Sequence, residues 1–137
     1  MIYESKVSFT SFDNNGNEKV CKQRYIVEDA ETFGDAETQT YQTCYGEDNL
    51  DVTDIKRSKL KEIANKRQNE KDVIWIADVQ DTFVDDNGEE KYNVYKVAFY
   101  STTFDSAKAF ITEYLKQGYG DMELISLKKS NFVDVID

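Results

Sequence analysis

The sequence predicts an α+β fold built from two tandem β-β-α-β repeats, each opening on an antiparallel hairpin, packed on each other with pseudo-twofold symmetry. Three observations predict it. First, the 137-residue chain carries "DNNGNEKV" at 13–20 and again, as "DDNGEEKY", at 85–92. Other landmarks return at the same offset: Ile2-Tyr3 with Ile74-Trp75, Val7 with Val79, and "LDVTDIKRSKL" (50–60) with "MELISLKKSNF" (122–132). Repetition of apolar positions and turn residues over such a length marks an internal duplication. Second, apolar residues alternate with period two ahead of each repeated motif, the pattern of a half-buried strand. Third, each copy then shifts to helical spacing after a threonine. The division that follows is a first repeat at 1–64, a linker at 65–72 and a second repeat at 73–137.

Each element follows from its residues. In the first strand Tyr3, Ser5, Val7 and Phe9 share one face, with Lys6 and Ser8 on the other. In the second copy Trp75, Ala77, Val79 and Phe83 share a face. Asn15-Gly16 and Asn87-Gly88 separate two extended runs. Asn-Gly tolerates positive φ at both central positions, so a tight hairpin turn is expected. A calcium loop competes for the second motif, because Asp85, Asp86, Asn87 and Glu89 carry oxygen ligands. The EF-hand spacing fails, however, and no terminal bidentate glutamate follows. The second strands are "CKQRYIVED" and "NVYKVAFYS".

Helices then start at Thr32 and Thr103, residues that cap an N-terminus well. In the second, Phe104, Ala107, Ile111, Tyr114 and Leu115 line one face, and Gly118 or Gly120 is the expected stop. The first helix presents only Phe33, Ala36, Thr40 and Cys44 and is expected to be short, frayed or covered by a partner. Third strands carry Leu50, Val52 and Ile55, and Met122, Leu124 and Leu127. The linker "NKRQNEKD" is polar and short. A three-stranded sheet with one helix is marginal alone, so the copies are expected to pack together or extend each other's sheet.

Composition limits function. Histidine and proline are both absent. Without histidine there is no Ser-His or Cys-His catalysis and no imidazole metal site. No Gly-rich phosphate loop, Cys-x-x-Cys pair or nucleophile elbow is present. The chain is therefore expected to be non-enzymatic, with no cofactor and no metal. Cys21 and Cys44 are expected to be reduced thiols. No apolar run reaches membrane-spanning length, and the N-terminus lacks a basic flank and signal core, so no membrane association and a cytoplasmic location are expected.

The net charge is −10 and unevenly spread. Residues 25–55 hold nine carboxylates and no Lys or Arg, and residues 56–71 then carry seven cations. Two candidate surfaces emerge. Lys56-Arg57 and Lys128-Lys129 occupy equivalent positions and, with nearby aromatics, could grip single-stranded nucleic acid. Glu28, Asp29, Asp35, Glu37, Glu47 and Asp48 form a candidate acidic face for a protein partner, either as an ordinary contact or as a nucleic-acid mimic that inhibits a host protein. The leading expectation is a binding or accessory protein acting through protein-protein contacts, with self-association included.

The stretches "YIVEDAETFGDAE", "VTDIKRSKLKEI" and "ISLKKSNFVDVI" resemble an uncharacterised family, a domain of unknown function in small tandem-repeat proteins encoded by Bacteroidetes genomes and their phages. The resemblance spans nearly the whole chain. It departs by one extra residue near Glu28-Asp29 and by the polar first helix. The family has no established activity to transfer. The resemblance implies an origin in a bacterium or its virus and an intracellular site of action.

Overall fold

The computed structural model describes residues 1–118 and 121–137. In chain order the elements are β1 (Tyr3–Phe12), β2 (Glu18–Val27), α1 (Phe33–Thr43), β3 (Asp48–Arg57), β4 (Leu60–Ile63), β5 (Val73–Val84), β6 (Glu90–Ser101), α2 (Phe104–Lys116), β7 (Asp121–Lys129) and β8 (Phe132–Ile136). The chain is thus α+β, with two four-stranded sheets ordered β3-β1-β2-β8 and β4-β6-β5-β7. Each half has one strand more than expected. Leu60–Ile63 and Phe132–Ile136 are separate strands, because β3 stops at Arg57 and β7 at Lys129. At those ends Ser58 N–H donates to Ile2 O, and Ser130 N–H to Ile74 O, both at 2.9 Å.

These two strands decide how the chain divides. β8, which follows β7, pairs in parallel with β2; β4, which follows β3, pairs in parallel with β6. One compact unit therefore holds Met1–Ser58 together with Asn131–Asp137, and the other holds Lys59–Ser130. The compact units are for this reason cut at different places from the expected divisions at 64 and 73.

In unit 1, α1 covers the sheet face that carries Tyr3, Val7, Tyr25 and Val27, with Ala36 and Cys44 from the helix side and Ile136 from β8 in the same core. In unit 2, the corresponding core joins Trp75, Ala77, Val79 and Phe99 to Ala107 and Ile111 of α2. Phe99 stacks on Phe110 with ring centroids 4.7 Å apart. The pairings agree under the offset that carries Tyr3 to Trp75. Tyr3 faces Val27 and Arg57; Trp75 faces Phe99 and Lys129. Arg24 faces Phe132, and Lys96 faces Leu60.

The turns correct one expectation. Gly16 and Gly88 have φ of 78° and 79°, but neither Asn15 nor Asn87 has positive φ. The loop is longer than two residues: Asp13 N–H bonds Asn17 O, and Gly16 N–H bonds Asp13 O. Asp13 Oδ1 also accepts the N–H groups of Asn15 and Asn17, both at 2.9 Å. Asp85 does the same for Asn87 and Glu89. The shared Asp-x-Asn-Gly is a type I turn closed by an αL glycine, with an aspartate satisfying the loop amides.

Both helices are capped as expected. Thr32 accepts from Asp35 N–H, and Thr103 forms a capping box with Ser106. α1 is a full 11-residue helix rather than a frayed one. It compensates for its polar face with a buried pair: Thr40 Oγ1 lies 3.0 Å from Ser5 Oγ and 2.8 Å from Ala36 O. With Thr40 donating to Ala36 O, the Ser5 hydroxyl donates back to Thr40. α2 ends at Lys116 with Gln117 as cap, and the alternative stop at Gly120 lies outside the described residues. The polar segment 65–72 is well tied: Asn65 exchanges two hydrogen bonds with the Tyr100 backbone, and buried Asp72 accepts from the backbone N–H of Gln68 and Asn69 and from Thr102.

Ser5 and Thr40 stand where unit 2 has Ala77 and the neighbourhood of Ile111. Thr40→Val should destabilise the chain by about 1–3 kcal/mol, because a buried Ser5 hydroxyl loses its partner. Thr40→Ile combined with Ser5→Ala should recover most of that loss in urea denaturation.

Candidate functional site

A concave site of about 480 Å³ lies on the face of the first sheet away from α1. Alternation along the strands builds it. Because Tyr3, Ser5 and Val7 point to the helix, Glu4, Lys6 and Ser8 point the other way. The hairpin register then sets Lys6 opposite Arg24 and Ser8 opposite Lys22. On β3 the pairing slips between Lys6/Asp54 and Val7/Val52, which leaves Thr53 as the extra residue of a bulge. Asn131 and Val133 close the far side along β8. Lys6, Lys22 and Arg24 contribute three cations to the lining, along with Ser8, Gln23, Thr53 and Asn131 as neutral polar groups; no carboxylate lines it.

Arg24 is held from several sides. It donates to Glu4 Oε1 at 3.0 Å and to Asn131 Oδ1, and its guanidinium stacks 4.1 Å over the Phe132 ring. Glu4 also receives the Ser58 hydroxyl at 2.8 Å and lies 3.8 Å from Lys56 Nζ. Glu4 therefore balances Arg24, while Lys6 and Lys22 have no ion pair among the described residues. Asp54 stands opposite Lys6 and Asp51 opposite Ser8 on β3, outside the lining.

The same positions in unit 2 have other chemistry. Asp78 replaces Lys6, Val94 replaces Lys22, Ile125 replaces Thr53 and Lys96 replaces Arg24. Asp78 accepts from Lys96 Nζ and from the Ser126 hydroxyl, both at 2.6 Å. Partial burial works to raise the Asp78 pKa, but these two bonds and the charges of Lys96 and Lys128 outweigh it and hold the carboxyl below the usual range.

The residues singled out from sequence fall as follows. Lys56 and Arg57 end β3, and Lys128 and Lys129 end β7, both edge strands. They occupy matching registers, Lys56 opposite Glu4 and Lys128 opposite Ile76, then Arg57 opposite Tyr3 and Lys129 opposite Trp75. Consecutive strand residues face opposite sides, so each pair splits between two faces of its sheet. Of the acidic residues, Glu28, Asp29, Asp35 and Glu37 gather around the start of α1. Glu47 and Asp48 lie past its far end, roughly 16 Å along an 11-residue helix. Lys6, Lys22 and Arg24 were not singled out in the sequence, though their signal was there: a turn on Asp13–Asn17 already fixes which residues of the hairpin meet. Cys21 and Cys44 are both free thiols. Among the described residues no three His, Cys, Asp or Glu side chains converge on a metal position, and no helix is long and apolar enough to cross a membrane.

Fold and site define a two-unit α+β protein in which each mixed four-stranded sheet is covered by one helix, with a cationic concavity on one sheet. The chain belongs to the family described as "Domain of unknown function (DUF4494)", whose model matches residues 1–137. Neither a curated protein nor a solved structure matches it.

Asp78→Asn should lower stability at neutral pH by about 1–2 kcal/mol through its weakened bonds to Lys96 and Ser126. A depressed carboxyl contributes stability above its unfolded pKa of about 3.9 and loses it as pH falls through the folded value. The stability gap between Asp78→Asn and the unaltered chain should therefore close below about pH 4, as read from denaturation midpoints across a pH series.

Proposed function

We propose that this protein is a non-enzymatic binding or accessory protein that acts through contact with a protein partner, a second copy of itself included. The observation that carries this reading is a pair of apolar stripes at the hairpin ends. Phe12 and Val20 are 59% and 66% exposed; Val84, Tyr92 and Val94 are 67%, 66% and 56% exposed. By register these residues share the face away from the helix in each hairpin, so they form patches rather than scattered side chains. Exposed apolar patches with polar margins are the usual signature of a protein-protein contact.

The acidic residues Glu28, Asp29, Asp35, Glu37, Glu47 and Asp48 would add long-range steering toward a basic partner. Duplication of one β-β-α-β-β unit completes the proposal. The matching registers of the two sheets support the duplication. A bacterial or phage origin and a cytoplasmic site of action rest on the family resemblance of the three sequence stretches.

The same reading distinguishes two rivals. A single-stranded nucleic-acid binder would rely on Lys56, Arg57, Lys128 and Lys129, and an acidic mimic would occupy a host protein's nucleic-acid groove. Light scattering after size exclusion, followed by affinity capture with purified chain as bait, tests all three. Val84→Asp combined with Tyr92→Ser should abolish self-association or capture without lowering the thermal midpoint, because both residues are exposed. Capture that survives this variant, or a salt-sensitive gel shift of labelled oligothymidylate abolished by Lys128→Glu and Lys129→Glu, contradicts the proposal.

A further inference from the structure

The concavity on the first sheet is unlike the rest of this acidic surface, and three independent features make it a candidate ligand site. Its lining has three cations and no carboxylate, in a chain whose net charge is −10. Lys6 and Arg24 are direct cross-strand partners, and like charges placed opposite each other in a sheet destabilise it. Glu4 relieves Arg24 but is not paired with Lys6 or Lys22. The fold also shows that it does not need this arrangement. At the matching positions of unit 2 the opposed pair is Asp78 and Lys96, bonded at 2.6 Å, and the third cation is replaced by Val94. Unit 1 sets two like charges opposite each other, with Asp54 on the other flank of Lys6, where unit 2 has a bonded pair.

The geometry points to a binding site for a small phosphorylated ligand, with Lys6 and Lys22 meeting the phosphate, Arg24 as a fixed third charge, and Ser8, Thr53 and Asn131 donating hydrogen bonds around it. Lysine ammonium groups act as mobile point charges suited to phosphate oxygens. Arg24 is already forked onto Glu4 and Asn131 and serves as a rigid wall. A volume of about 480 Å³ falls in the range of small-molecule sites and accommodates a ligand up to nucleotide size. A long polyanion is disfavoured, because a strand leaving the site across β3 meets Asp51 and Asp54 and then the general negative field.

The site also depends on the chain's C-terminal segment. Asn131 lines it, and Phe132 supports Arg24 from behind. This assignment is separate from the protein-contact reading: on the same face of the first sheet it uses Lys6, Lys22 and Arg24 rather than Phe12 and Val20, and it concerns a different class of ligand, so either can fail alone.

The test is an amide chemical-shift titration of the full chain at low salt with inorganic pyrophosphate, ADP, citrate and oligothymidylate. Pyrophosphate or ADP should shift Lys6, Ser8, Lys22, Arg24 and Thr53 selectively, and comparison of the two shows whether the base adds affinity to the phosphate. Lys6→Gln and Lys22→Gln should each weaken binding by about tenfold, the loss of one close charge contact, while Lys22→Arg should keep most of it. Without ligand, Lys6→Gln should leave the thermal midpoint nearly unchanged, since it removes a like charge opposite Arg24 and an opposite charge across from Asp54 together; a merely structural lysine would lower it. The inference is overturned if neither pyrophosphate nor ADP shifts these amides at millimolar concentration. It is equally overturned if binding is unaffected by Lys6→Gln and Lys22→Gln, if citrate binds as tightly as pyrophosphate, or if only oligothymidylate binds.

Discussion

The parallel pairing of β8 with β2, matched by that of β4 with β6, is the constraint on which the rest of the structure depends. In the order β3-β1-β2, the outer edge of β2 has no neighbour until β8 arrives. That edge includes Tyr25, Ile26 and Val27, all buried. Unpaired backbone N–H and C=O groups next to such apolar residues would be costly and would invite pairing with other chains. Parallel pairing needs a long crossover, and a tight turn cannot supply it. For the first sheet the crossover from β2 to β8 runs through residues 28–131 and so through unit 2; for the second, from β4 to β6, it runs through residues 64–89 and includes β5. Neither 1–64 nor 73–137 therefore contains all the strands of one sheet.

This arrangement lets two units share one topology and still diverge in chemistry. Under the helix, unit 1 uses a hydrogen-bonded Ser5–Thr40 pair where unit 2 packs Ala77 and Ile111. On the opposite face, unit 1 places Lys6 against Arg24 where unit 2 places Asp78 against Lys96. The backbone registers agree, so these differences are side-chain choices on an equal frame. Unit 2 is the more conventional solution at both places, with an apolar core and a neutralised pair. Unit 1 carries the polar core pair, the opposed cations Lys6 and Arg24 and the acidic residues flanking α1.

The legible parts of the sequence were those governed by local chemistry. Alternation at Tyr3–Phe9 and Trp75–Phe83, threonine caps at Thr32 and Thr103, and the helical face of Phe104–Leu115 each depend on neighbours in sequence. The hairpins were legible too, but not their turn type. The governing contact is the Asp13 or Asp85 side chain on loop amides, which removes the need for positive φ at the asparagine. β4 and β8 were not legible as strands. Four or five residues give too short a pattern, and their parallel partners lie far along the chain in residues that carry no complementary signal. The acidic residues are dense in sequence, yet the rest of α1 from Thr38 to Thr43 stands between Glu37 and Glu47. The paired cations at 56–57 and 128–129 are adjacent in sequence, yet a strand sends neighbours to opposite faces. The cationic concavity was legible only in part: the hairpin register brings Lys6, Lys22 and Arg24 together, but its far side includes Asn131, on a segment whose place in the fold is not readable locally.

Hydrogen exchange on a chain ending at Ser130 tests the central claim most directly. The truncation removes β8 and leaves every residue of β1, β2, α1 and β3 in place. The account predicts that amide protection collapses at Tyr25, Ile26 and Val27 and weakens across β1, while β5, β6 and β7 keep theirs. Protection on β1 and β2 that matches the full chain would contradict it, since the first sheet would then stand without the strand returned from the end of the chain.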